Sequence, residues 1–309
     1  MKADRALLLL RDVPLARRTT LCLGGAAAAL VRIGDVDTAC KAADWAREHA
    51  IAVAILGGGS NTVVDDGGVD ALVLEPTDCS LSTSAVGDAI HIRAGAGLNW
   101  GELVAFSVRR NLSGIAALSG IPGRVGAAPV QNIGAYGEQL ADVFVAATCL
   151  DLVSGAIETW DAARASFAYR DSRWKREPQR PRLILDVTLA LSAANTAQAR
   201  YPDLRAALSA AGHDADAAPL RALRDAVLTV RRRKSMVVDA LDVDSRSVGS
   251  FFVNPAVSSA DADAAEAALG ARAKGQARAN GQARSAAPAA TAMPRFGLPN
   301  GDVKLSAAW

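Results

Sequence analysis

Apolar positions across Val36–His49 (VDTACKAADWAREH) recur at helical spacing, and the next stretch, Ile51–Leu56, is a short apolar run that stops on three glycines. Together they predict a helix followed by a buried strand. Beyond the glycines, NTVVDDGGVDALVL reads as a turn and then another strand, because Asp65, Asp66 and two adjacent glycines leave no room for a long helix. From Ala89, the pattern AIHIRAGAGLNWGELVAFSVRRN predicts a strand, a glycine-rich turn and a helix. A glycine-dense loop follows at Gly114–Gly137, with strands expected at Val143–Leu150, Ala156–Trp160 and Arg182–Leu191. This is a mixed α+β order, not a regular βαβ series.

The polar, alanine-rich stretch Ser192–Ala218 leads into a helix at Leu220–Arg233, and the change in composition suggests a domain boundary. Residues 259–292 are biased to Ala, Gly, Arg and Gln. Their first part is compatible with a helix, but the second half has no large apolar residue to anchor it, so a mobile surface insertion is expected.

Composition narrows the function classes. The chain has 309 residues, 50% hydrophobic but only 5% aromatic, enough for two or three modest cores and too apolar for general disorder. Its 34 basic and 32 acidic residues leave a formal charge of +2, which disfavours a nucleic-acid partner. Leu23–Val31 and Ile51–Gly59 are too short to span a bilayer, and MKADRALLLLRDV closes on Arg11 and Asp12 without a cleavage site, so a cytoplasmic protein is expected. Cys22, Cys40, Cys79 and Cys149 are widely spaced and read as small buried hydrophobes rather than metal ligands or disulfides. There is no GxSxG elbow for a serine hydrolase.

Two motifs carry chemistry. LGGGSN (Leu56–Asn61) puts glycines directly after a strand, where positive φ lets backbone N–H groups converge on an anion. Thr62 breaks a GxGxxG fingerprint and no P-loop lysine follows. The second motif, SGIPGRVGAAPVQNIGAYG (Ser119–Gly137), has too many glycines and prolines for regular structure and offers the amides of Gln131 and Asn132. Two backbone cradles in one chain point to a long ligand of dinucleotide type.

Those two motifs, with YRDS (Tyr169–Ser172) and RSVGSFFVNP (Arg246–Pro255) in the same order, closely resemble the bacterial UDP-N-acetylenolpyruvoylglucosamine reductases, in the form with a tyrosine loop. The resemblance implies an α+β fold: a two-lobed FAD-binding module of the vanillyl-alcohol-oxidase type (residues 1–76 and 77–203), then a smaller substrate-binding domain (204–309). It also implies non-covalent FAD, NADPH as co-substrate, a UDP-sugar substrate and a monomer with no membrane or nucleic-acid partner. The reaction would reduce UDP-N-acetylglucosamine enolpyruvate to UDP-N-acetylmuramate for peptidoglycan.

Carried over residue by residue, Arg170 would stabilise the charge on the enolpyruvyl carboxylate and Ser250 would protonate the α-carbon. The cofactor would be held by Gly57, Gly58, Gly59, Ser60 and Asn61, and by Gly120, Ile121, Gly123, Gly126, Ala127, Pro129, Gln131, Asn132, Ile133, Gly134, Ala135, Tyr136 and Gly137, with Arg231 contacting the flavin. Tyr169, Tyr201, Lys234 and Asn254 would meet the substrate. No metal is implied. In the family a late glutamate works with these groups beyond a KLSAAW-like segment, and this chain ends within that segment, so a C-terminally shortened protein that holds FAD but turns over poorly is one expectation. A flavin oxidase of the same fold, and a degenerate FAD-binding relative, stay open as alternatives.

Overall fold

The computed structural model describes residues 7–249, 254–268, 295–297 and 302–305. Two compact units emerge, residues 1–249 and 250–309.

The first unit begins with strands β1 (Leu10–Pro14) and β2 (Ala26–Ile33), helix α1 (Val36–Glu48), and strands β3 (Val53–Ile55) and β4 (Val69–Pro76). They form a four-stranded sheet in the order β1-β2-β4-β3, with β4 parallel to both its neighbours. Helix α1 starts at Asp35, whose side chain caps the Thr38 amide at 2.7 Å, and it buries Ala39, Ala42, Ala43 and Ala46 as one stripe. Small side chains let it lie close on the sheet. The strand β2 is a run of alanines, good helix formers, yet pairing on both edges makes it extended.

A second sheet follows. Strands β5 (Leu81–Val86) and β6 (Ala89–Gly95) form a hairpin, helix α2 (Trp100–Arg109) comes next, and the short strands β7 (Leu112–Ser113), β8 (Gly134–Ala135) and β9 (Glu138–Gln139) bracket the glycine-rich loop. Strands β10 (Phe144–Asp151) and β11 (Ile157–Asp161), the one-turn helices α3 (Ala162–Ala165) and α4 (Arg173–Arg176), and strand β12 (Arg182–Ala193) complete it. The antiparallel order is β11-β10-β12-β6-β5, with β7 also on β12. The two sheets share a core: Leu72 and Leu74 of β4 cluster with Leu150 of β10 and Leu183 of β12.

Within the polar stretch 192–218 the structure has strand β13 (Thr196–Ala197), helix α5 (Pro202–Ala210) and strand β14 (Ala218–Pro219), running into helix α6 (Leu220–Arg232). Leu204 and Leu208 of α5 and Leu220, Leu223 and Val227 of α6 join the same core as Trp100 and Leu103 of α2. A few well-placed leucines suffice to bury a helix whose average composition reads as polar.

In the second unit, strands β15 (Ala256–Val257), β16 (Arg295–Gly297) and β17 (Val303–Leu305) pair in the order β15-β17-β16. Of the segment expected to be a mobile insertion, residues 259–268 form a helix whose Ala262 is fully buried near Leu305; residues 269–292 lie outside the described residues.

Of the four cysteines, only Cys149 fits the expectation of a buried hydrophobe, and burial pushes its thiol up to about 12. Cys22 and Cys79 are exposed and Cys40 is half-buried. Turn positions place the two exposed thiols on the surface, which spacing along the chain does not reveal.

Candidate functional site

The first cradle leaves β3 at Ile55, and the Leu56 amide donates to the Leu74 carbonyl at 2.9 Å, so the turn starts from the sheet itself. Gly59 has φ +63°, and a Cβ there would lie 2.0 Å from the Arg18 carbonyl oxygen. Only glycine fits. Among the described residues, no acceptor takes the amides of Gly57, Gly58, Gly59, Ser60 or Asn61. Such a row of unpaired N–H groups is an anion nest.

The second cradle packs directly against the first. A Cβ on Gly58 would come within 2.8 Å of the Gly123 Cα, the Ser60 hydroxyl donates to the Pro122 carbonyl at 3.1 Å, and the Asn61 amide nitrogen donates to Gln131 at 3.4 Å. Gly126 abuts Ala96, where an added Cβ would sit 2.5 Å from the alanine Cβ. Between them lies a cavity of about 440 Å³, lined by both cradles and walled by Trp100, Trp174 and Ile184 with Arg124, Lys175 and Arg182.

The sequence-derived residues fall into two groups. Gly57, Gly58, Gly59, Ser60, Asn61, Ile121, Gly123, Gly126, Ala127, Gln131 and Ile133 line the cavity. Gly120, Pro129, Asn132, Gly134, Ala135, Tyr136, Gly137 and Arg231 are not among its lining residues. Asn132 is spent inside the loop. It is buried with φ +44°, its side chain donates to the Ala168 carbonyl at 3.0 Å and accepts from the Ala141 amide at 2.9 Å.

Against the second cradle, Arg170 adopts φ +54°, and its guanidinium donates to the Asn132 carbonyl at 3.2 Å and to the Gly134 carbonyl. Ser172 secures the same turn: its hydroxyl donates to the Val130 carbonyl at 2.6 Å while capping α4. Tyr201, at the start of α5, meets Tyr136 edge-on with ring centroids 5.6 Å apart. Desolvation pushes the Tyr136 hydroxyl above its ordinary pKa. Arg231 of α6 donates to the Gly120 carbonyl at 3.3 Å, and burial draws its guanidinium below its usual value. Lys234 pairs with Asp203 at 2.9 Å. Tyr169 lies beside Arg170, whose guanidinium sits 5.6 Å from the ring centroid. Asn254 belongs to the second unit, and Ser250 lies outside the described residues.

Reading the sequence missed the cavity's Arg124, Trp174, Lys175 and Arg182. Trp174 and Lys175 follow YRDS after one residue, Arg173, a proximity that marks them in retrospect. Among the described residues no group of His, Cys, Asp or Glu gathers as a metal site, and no helix is long and apolar enough to cross a membrane.

A cavity with a nest of unpaired amides from the first cradle and apolar and aromatic residues in its walls fits a dinucleotide carrying a flat ring system, as FAD does. The family description "FAD binding domain" matches residues 27–160. The UDP-N-acetylenolpyruvoylglucosamine reductase of Thermobifida fusca is 40% identical over 80% of this chain and 69% of its own length. That of Saccharopolyspora erythraea is 38% identical over 96% of this chain and 76% of its length. The crystal structure of the Thermus caldophilus reductase covers 81% of this chain and 75% of its own, with a TM-score of 0.57 at 24% identity, and so shares the fold. With two cradles of the right geometry and this degree of identity over most of its length, the chain belongs to the UDP-N-acetylenolpyruvoylglucosamine reductase family and carries its FAD-binding domain.

Proposed function

We propose that this protein reduces UDP-N-acetylglucosamine enolpyruvate to UDP-N-acetylmuramate with NADPH, in peptidoglycan precursor synthesis. The observation that carries the reading is the junction of the two cradles around one cavity, with Arg170 docked on the second of them. When bound, FAD supplies the hydride relay between NADPH and the unsaturated substrate.

The chain's own residues do the rest. The amides from Gly57 to Asn61 hold the cofactor's diphosphate, and Trp100, Ile184 and the loop backbone keep water from the cavity. Overall, the enolpyruvyl group gains a hydride at its β-carbon and a proton at its α-carbon. Negative charge builds on its carboxylate between those events, and Arg170 stabilises it. Two of that guanidinium's N–H groups are anchored on the Asn132 and Gly134 carbonyls, which fixes the fork while leaving further donors for a carboxylate. Ser250 delivers the α-carbon proton, Tyr169 and Tyr201 close over the sugar nucleotide, and Lys234 and Asn254 meet its diphosphate. Lys234 must leave Asp203 to do so. In this reading residues 1–76 and 77–203 serve the cofactor and 204–309 the substrate, in a cytoplasmic monomer.

The test is spectroscopic. Purified protein should show a flavin spectrum that NADPH bleaches anaerobically and that the enolpyruvyl substrate restores. A bound flavin that NADPH never bleaches would identify a degenerate relative, and hydrogen peroxide release with an alcohol substrate an oxidase.

A further inference from the structure

Strand β4 ends on Glu75, a carboxylate side chain only 8% exposed in a protein whose other charges mostly face water. Three arginines surround it: Arg18 at 3.5 Å, Arg124 at 3.5 Å and Arg32, its cross-strand neighbour on β2, at 3.9 Å. All three contacts are long, and Glu75 Oε2 accepts no hydrogen bond among the described residues. Burying a charge with so little direct hydrogen bonding gains little stability; an apolar side chain would fill the place as well. Its position explains it better.

Arg124 lines the cavity, and Arg18 stands behind its first cradle. The backbone of Arg18 backs the first cradle, where its carbonyl oxygen is the atom an extra Cβ on Gly59 would strike. Arg124 sits inside the second cradle, next to Gly123, which touches Gly58. Its guanidinium donates to the Pro76 carbonyl at 3.2 Å and the Gly97 carbonyl at 3.0 Å. One carboxylate therefore faces the support of both cradles at the point where they meet.

We infer that Glu75 is a positioning residue for the cofactor site, an ionic clasp that holds Arg18 and Arg124 so that the two glycine cradles keep the spacing a dinucleotide needs. It acts through these arginines and touches no ligand. The inference rests on the flavin reading above.

The test measures FAD affinity on flavin-stripped protein by titration with FAD, following quenching of flavin fluorescence, beside thermal unfolding of the same apoprotein. Glu75→Gln, nearly isosteric but uncharged, should weaken FAD binding about tenfold, the scale on which supporting contacts tune a bound group. Glu75→Asp should fall between the two, because it keeps the charge and shortens the reach. Combined with Arg124→Met, Glu75→Gln should add almost nothing, since both break one clasp. An affinity that is unchanged or tighter in Glu75→Gln would overturn the clasp, tighter being what simple removal of a negative charge near an anionic ligand predicts. Additive effects in the double variant would overturn it too. Should Glu75→Gln fail to fold, Glu75→Asp and Arg124→Met carry the same comparison. A parent protein that takes up no FAD would instead overturn the flavin reading itself.

Discussion

At the scale of single residues, conformation and chemistry are joined at Arg170. Its positive φ turns the YRDS segment so that the guanidinium reaches two carbonyls of the glycine-rich loop. Lysine keeps the charge but not the planar fork. Arg170→Lys should therefore lower kcat about 100-fold while leaving the flavin spectrum unchanged, as stopped-flow reoxidation by substrate would show. Glu138 makes a different point. It is half-buried, accepts from the Ala117 amide at 2.8 Å, and desolvation raises its pKa above its ordinary value. A folded-state pKa above the unfolded one means that the protonated form favours folding, so this contribution is present at acid pH and lost as pH rises through the raised value. Glu138→Gln keeps an acceptor for Ala117 and removes the charge. It should flatten thermal stability across that window and raise the melting temperature at neutral pH, measurable by scanning fluorimetry from pH 4 to about 8.

At the scale of elements, the glycine cradles were legible in the sequence because their conformations exclude other residues. Gly57, Gly58 and Gly59 could be marked together before any fold was known, since a strand that stops on three glycines must turn sharply, while the structure shows that Gly59 is the one held at positive φ. Gly59→Ala should cost at least about 2 kcal/mol, because a Cβ 2.0 Å from a backbone oxygen forces the chain apart, and the purified variant should lose its yellow colour. The aromatic knot behind the YRDS turn was not legible. Trp160, fully buried, stacks on Trp174 at 4.8 Å, and Arg182 lies 4.6 Å from its ring centroid. Arg164 of α3 and Arg173 of α4 also lie over the Trp160 ring, so the pair ties these helices to β11. Trp160→Ala should cost about 3–5 kcal/mol in urea unfolding. No local pattern joins two tryptophans on a strand and a one-turn helix.

At the scale of the whole first unit, the two sheets meet in a core where Leu72 and Leu74 pack with Leu150 and Leu183. Folding of the two lobes is thereby coupled, and heating should unfold them in one transition whether followed by flavin release or by circular dichroism. Free FAD at about 100 times its dissociation constant should add about 2.7 kcal/mol and raise that single midpoint. Two separated transitions would show that the shared core is too weak to couple the lobes.

What the sequence determined by itself was every feature encoded in short stretches. The helix at Val36, the strand before LGGGSN and the second glycine loop follow from periodicity and from glycine and proline content, and YRDS stood out by its resemblance to the family. The alanine run of β2 was hidden because alanine favours a helix until strands on both sides pair with it. Helix α5 was hidden because its anchors, Leu204 and Leu208, are few and gain meaning only against α6. The tertiary structure alone decided that the two cradles face one cavity, that Arg170 reaches Asn132 and Gly134, and that Glu75 lies among Arg18, Arg32 and Arg124. Those contacts join residues far apart in the chain, and the side chains that make them are ordinary charges until the sheets bring them together.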